Sequence, residues 1–298
     1  MYLADVTVVI PTMCGAERAV EIQRAISSAK NQTKVTVDIL IVVNGIRYDA
    51  TLLQQIRTMD YVRVIQLDAP GISNARHHGR LYVQAPYFLM PDGDDELEPH
   101  ALATMIEIFR RSPDSVGLVL ADAHNTGYCS TYGFKPSPAE IERDPLSALI
   151  EQNWLILQST LFKTQRVASE LFDVDTRSNE CTFIAFKICL AAVKVRVQEG
   201  TVAIIHNNAG KPSESKSDHF IIEEPQTIQQ LLNMPVPRHI KKKLKAKLSR
   251  AHHAISAYYL RKGHIWQATK SHCLSLFLPG GQKNLLYTRH LIVAAFAK

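Results

Sequence analysis

Across its first hundred residues the chain alternates short apolar, β-branched runs with segments of helical period. Val6 to Ile10, VTVVI, is apolar at every position and stops at Pro11, the pattern of a strand covered on both faces in a parallel sheet. Ala19, Ile22, Ala25, Ile26 and Ala29 then recur at the spacing of one helix face. A second run, Asp38 to Val43, ends at Asn44-Gly45, and a third spans Val62 to Leu67. A fourth, Tyr87 to Met90, follows a helix expected to start near Ser73. Such alternation predicts an α/β open sheet flanked by helices. Ligands of these sheets sit beyond the carboxyl ends of the strands, which directs attention to Pro11-Thr12, Asn44-Gly45 and Pro91-Asp92.

The fourth strand runs into PDGDDELEP, which sets Asp92, Asp94, Asp95 and Glu96 at that edge in a chain of net charge +6. Asp92 and Asp94 are spaced to share a hard divalent cation, Mg²⁺ or Mn²⁺, whose remaining ligands would be water and a substrate diphosphate. The same string also reads as a turn and helix cap, because Asp and Gly are common in both. A dinucleotide-binding dehydrogenase is excluded, since Pro11 to Gly15 reads PTMCG and no GxGxxG follows the first strand. No GxxxxGK[ST] occurs either, and the early glycine-rich basic loop of a sugar-nucleotide pyrophosphorylase is missing. Five cysteines without CxxC spacing indicate free thiols, not a zinc site or a disulfide framework.

GISNARHHG, residues 71 to 79, together with a following strand and DGDDELEP, resembles the signature of the family 2 glycosyltransferases. VTVVIPT, Glu17 and VDILIVVNG extend the resemblance outward. It implies a GT-A-type open mixed sheet with a Rossmann-like nucleotide-binding half, and an inverting, metal-dependent enzyme that uses a nucleotide sugar, with a UDP-sugar as the expected donor. Carried over by position, Pro11, Thr12 and Glu17 lie against the base and ribose, and Asn44 stands where an aspartate is usual. Arg76 holds carboxylates and phosphate in register. Gly93 lines the nucleotide sugar, and Asp92 and Asp94 bind the metal, joined by His206 at the end of a strand from Val202 to Ile205. The acceptor it implies is a hydroxyl of a glycan or glycolipid, expected in cell-surface polysaccharide assembly.

Inversion requires a carboxylate to take the acceptor proton. The resemblance places that base in a Glu-Asp pair opening a helix, and here the pair reads Glu180-Cys181. A thiol is a poor general base for an alcohol, so Glu180 is the catalytic candidate, with Asp173 and Asp175 in the preceding loop as alternatives. A catalytically weak nucleotide-sugar-binding or scaffold protein is the competing reading. Residues 206 to 219, HNNAGKPSESKSDH, are read as a loop able to close over the donor, and Trp154 as an acceptor-pocket or core residue.

The remaining chain differs in charge. From Pro225 to Lys298 there are thirteen Lys or Arg and no Asp or Glu, whereas residues 1 to 224 carry a net −7. The organisation expected is a catalytic domain over 1–220 and a basic helical region over 221–298. Ile240, Leu244, Leu248, Ala251 and Ile255 mark the packed face of one helical run continuing to Pro279-Gly280-Gly281. Lys241, Lys242, Lys243, Lys245 and Lys247 offer a solvated face or a contact to an anionic membrane surface. No nucleic-acid recognition motif is present. With no spanning-length apolar run and no signal-peptide pattern at the N-terminus, the expected location is cytoplasmic, or peripheral at the inner face of the membrane.

Overall fold

The computed structural model describes residues 4–127, 130–131, 133–176, 179–206 and 218–296. They fall into two compact units, Met1–Ala209 and Gly210–Lys298.

The first unit is built on β1 (Val6–Thr12), α1 (Ala19–Lys30), β2 (Val37–Asn44), α2 (Ala50–Arg57), β3 (Val62–Leu67), α3 (Ile72–Leu81) and β4 (Tyr87–Leu89). All seven residues of β1 are buried, as both faces of a parallel strand are covered by helices. β2 pairs with β1 in register Val6 to Val37, β3 pairs with β2, and β4 lies on the other side of β1, all parallel. One face of these strands packs Val8, Ile10, Ile39 and Ile41 against Ile22 and Ile26 of α1. On the other face α3 comes so close that a Cβ on Gly79 would lie 2.4 Å from Val9 Cγ1, so only glycine fits that contact. α2 opens on Asp49, whose side chain accepts a bond from the Leu52 N–H at 2.7 Å.

Beyond β4 the sheet becomes mixed. β5 (Glu96–Leu97), α4 (Ala101–Arg111), β6 (Val116–Asn125), β7 (Ser130–Thr131), α5 (Pro138–Arg143), α6 (Pro145–Glu151), β8 (Thr160–Lys163), α7 (Glu180–Leu190) and β9 (Lys194–Ile205) follow in chain order. The described strands form one sheet in the order β3-β2-β1-β4-β8-β6-β9-β5, with β7 on β6. β8 is antiparallel to β4 and to β6, which turns the parallel half into an open mixed sheet. β5 pairs antiparallel with the end of β9, Glu96 with Ile204, so the chain leaving the acidic turn lies beside His206.

The second unit is helical: α8 (Asp218–Asn233), α9 (Arg238–Arg261), α10 (Ile265–Leu276), a 3-10 segment (Gly281–Tyr287) and α11 (Thr288–Phe296). Ile240, Leu244, Leu248, Ala251 and Ile255 are buried along α9, as the periodicity predicts. The expected continuous run to Pro279 is instead two helices, because Gly263 adopts φ +78° and ends α9 before α10 begins. Left-handed backbone costs glycine little, and a single such residue suffices to reverse a helix end. No described helix is long and apolar enough to cross a membrane.

Candidate active site

The carboxyl ends of β1 and β4 meet at the acidic turn. A Cβ on Gly93 would sit 3.3 Å from the Pro11 carbonyl, so the turn lies directly against the end of β1. Its backbone closes through Asp95 N–H to Asp92 O at 3.2 Å, and this fold-back gathers the side chains. Carboxylate oxygens of Asp92, Asp94 and Asp95 lie within 4.8 Å of one another, the only such ligand cluster found among the described residues. Asp95 is 3% exposed, and burial together with Asp92 and Asp94 raises its carboxyl to about 8. Oxygen-only donors at that spacing suit a hard divalent cation.

Among the described residues, three arginines surround the cluster. Arg76, on the buried side of α3 and 4% exposed, bridges Asp92 and Glu180 with separate guanidinium nitrogens. Burial alone would lower the Arg76 pKa, but Glu180 and Asp92 outweigh it and the guanidinium is held more firmly charged than usual. Arg18 donates to Asp94 at 2.9 Å, and Arg24 donates to the Asp94 carbonyl at 2.7 Å. Gln158 Nε2 donates to the second Asp92 oxygen at 2.6 Å. Nothing in the sequence marks Arg18, Arg24 or Gln158, since each is recruited only by the packing of its element against the turn. Gln158 is 66 residues from its partner.

Glu180 opens α7 and is 7% exposed. Burial raises its carboxyl while Arg76 opposes the rise, and its buried Oε1 has no hydrogen-bond partner among the described residues. Its neighbour Cys181 has a thiol that desolvation pushes up to about 12. Asp173 lies 71% exposed, 3.7 Å from His77. His206 donates its backbone N–H to Asp95 at 3.1 Å, while its ring Nε2 lies 2.6 Å from Glu96 Oε1, which keeps the imidazole outside the three-carboxylate cluster. Trp154 is 1% exposed and donates to the Pro145 carbonyl at 2.8 Å, which makes it a core residue.

On the other flank Thr12 Oγ1 accepts the Cys14 N–H at 2.9 Å, and Cys14 holds a left-handed φ of +53°. The Cys14 carbonyl in turn accepts the Asp49 N–H at 2.8 Å, tying the loop after β1 to the start of α2. Glu17 follows in a short 3-10 turn, with its carboxylate folded back over Gly15. Asn44 Oδ1 accepts the Gly71 N–H at 2.6 Å, which ties the end of β2 to the start of α3. Thr12, Asn44 and the acidic turn thus occupy adjacent strand ends. The loop expected over residues 206 to 219 lies, apart from His206 and the start of α8, outside the described residues.

Comparison with known proteins identifies the family and the fold. Residues 7–167 match the family described as Glycosyl transferase family 2. Among solved structures, that of S. aureus TarS 1-349 in complex with UDP-GlcNAc aligns with a TM-score of 0.65 at 15% identity, covering 91% of this chain and 81% of that one. The complex of the same protein with UDP gives 0.58 at 13% identity, over 91% and 83% of the two chains. A structure of S. aureus TarS gives 0.58 at 14% identity, over 91% of this chain and 50% of the other. The likeness is one of fold, and the architecture is GT-A: a mixed sheet flanked by helices, followed by a helical region. No curated protein sequence matches the chain.

Proposed function

The chain belongs to glycosyl transferase family 2, and from that premise we propose that it moves a sugar, with inversion, from a nucleoside diphosphate sugar to a hydroxyl of a glycan or glycolipid in cell-surface polysaccharide assembly. The observation that carries this reading is the trio of carboxylates within 4.8 Å at the strand edge, held in place by a buried arginine. Asp92, Asp94 and Asp95 would hold Mg²⁺ or Mn²⁺, and rotation of the His206 ring away from Glu96 would add an imidazole. When bound, the cation offsets the negative charge that develops on the departing diphosphate. That the TarS complexes contain UDP-GlcNAc and UDP favours a UDP-sugar as donor.

The protein's own groups divide the remaining work. Pro11, Thr12, Glu17 and Gly93 line the nucleotide, with Asn44 at the neighbouring strand end. Arg76 orients Asp92 and Glu180 together, so that metal ligand and base keep a fixed separation. Glu180 takes the acceptor proton through Oε1, the oxygen that Arg76 leaves unpartnered. Cys181, with a thiol near 12, stays protonated and serves as packing.

The competing reading, a nucleotide-sugar-binding protein with weak turnover, draws on the same Glu180–Arg76 ion pair, which restrains the base. A panel of nucleoside diphosphates and their sugars, titrated by calorimetry with and without Mn²⁺, tests both. Asp92→Asn and Asp94→Asn should abolish metal-dependent affinity with the fold intact, because each removes a ligand charge. Unchanged affinity in both variants defeats the metal assignment, and tight binding without hydrolysis or transfer favours the binding protein.

A further inference from the structure

The helical unit places its side chains unusually. α9 buries Ile240, Leu244, Leu248 and Ile255, as an amphipathic helix should. α10 does the reverse: it buries Ala268, Ser271, His272 and Ser275, with Ser256 and Ser249 of α9 donating to the Ala268 and Ser275 carbonyls at 2.7 and 2.8 Å. Small and polar groups thus form the packed side. Trp266, Leu274 and Phe277 follow one another at steps of eight and three residues, which puts them on one outward face, 78%, 45% and 88% exposed. α11 repeats the pattern, with Leu291 buried and Ile292, Val293 and Phe296 exposed by 53%, 68% and 87%.

An outward row of large apolar side chains, two of them nearly bare aromatics, marks a surface that meets a partner. Charge identifies which. Exposed Lys270 shares the face of Trp266 and Leu274, and exposed Arg289 shares that of Ile292 and Phe296. The whole segment from Pro225 carries thirteen basic residues and no acidic one. A second copy of the chain would bring two such surfaces together against their repulsion. A partner that is both apolar and anionic satisfies each feature at once, and aromatic rings beside cationic side chains are what helices lying in a lipid headgroup region present.

We propose that α10 and α11 dock on an anionic lipid surface, with Trp266, Phe277 and Phe296 entering the acyl boundary while Lys270 and Arg289 meet the headgroups. The catalytic unit is thereby held beside acceptors at that surface. The contact differs from the one the α9 lysines suggest, because it requires insertion of apolar side chains and not charge alone.

The full chain supplies its own reporter, since Trp266 is exposed and the only other tryptophan, Trp154, is 1% exposed. The experiment mixes the protein at low ionic strength with phosphatidylcholine vesicles, with or without phosphatidylglycerol, and follows sedimentation and tryptophan emission. The anionic vesicles should carry the protein down, shift its emission to the blue and, when brominated in the acyl chains, quench it. Trp266→Phe should abolish the spectral change but keep sedimentation. Phe277→Ser/Phe296→Ser should lower partition about a hundredfold, near tenfold per aromatic side chain withdrawn from lipid, with nucleotide binding as a fold control. The proposal fails if anionic vesicles leave the protein in solution, or if sedimentation occurs without quenching. It also fails if the double serine variant binds like wild type. Concentration-dependent self-association that the serine variant loses, without vesicle binding, would assign the face to a second copy instead.

Discussion

Replacing Arg76 by Met isolates what the buried cation does. Its side chain is 5% exposed and faces two carboxylates, of which Glu180 is 7% exposed and Asp92 34%. Asp92 retains Gln158 and can rehydrate, so most of the cost falls on Glu180, left as a buried carboxylate without a counter-charge. Breaking a buried pair from one side costs about 3 to 5 kcal/mol. The cost must also depend on pH. Arg76 lowers the Glu180 pKa, so its removal drives the folded-state value further above the unfolded value of about 4.5. A carboxyl raised in the folded state destabilises as pH climbs through and above its unfolded value, and the penalty is small below it.

Urea unfolding followed by Trp154 emission, in chelator, at pH 5.0 and 7.5 reads both effects, because Trp154 is buried in the same unit. The loss should be larger at pH 7.5, and Arg76→Met/Glu180→Leu should recover much of it by removing the stranded charge. Asp95, itself raised to about 8, is present in both proteins and largely cancels in the comparison. A loss under about 1 kcal/mol, the scale of exposed pairs, refutes the reasoning, as does one that is equal at the two pH values or larger at 5.0.

Three further outcomes are expected. Glu180→Gln should lower turnover by roughly 10² to 10⁴ with nucleotide affinity retained, and near-normal turnover would move the base to Asp173 or Asp175; a rise on Cys181→Asp would show the natural enzyme to be attenuated. Gly79→Ala should cost about 1 to 3 kcal/mol by overpacking, because its methyl would lie 2.4 Å from Val9 Cγ1, and calorimetric melting at wild-type temperature would contradict that contact. Burial lowers the pKa of His252, His253 and His272 below the ordinary 6.5, so the unfolded chain binds more protons there and the helical unit should weaken as pH falls below about 6.5; helix circular dichroism melting later at pH 5.5 than at 7.5 would reverse the sign.

Much of the first unit is legible along the chain because its determinants are local. VTVVI before Pro11 and VDILIVVN before Gly45 are apolar enough to be strands buried on both faces, and the third strand falls at Val62–Leu67 in both readings. The acidic turn is legible for the same reason, since DGDD must present several carboxylates at one strand end wherever that strand goes. By periodicity the helical region reads as continuous through Gly263, because a lone glycine within a helical pattern is ordinarily tolerated. Only the backbone, at φ +78°, shows that it ends α9.

Composition and period determined the α/β class, the acidic strand edge and the basic helical end, because each depends on neighbours within a few residues. Tertiary structure decided which charges face one another. Arg18 reaches Asp94 across 76 residues and Arg76 reaches Glu180 across 104, contacts that exist only because the loops after β1 and β4 and the head of α7 converge on the same end of the sheet. It also decided which side of α10 is packed. That helix carries an apolar stripe of Trp266, Leu274 and Phe277, but Ser249 and Ser256 donate to carbonyls on the opposite side and leave Trp266 and Phe277 outside. A helix's own periodicity locates its faces, and only the partner it packs against determines which of them meets water.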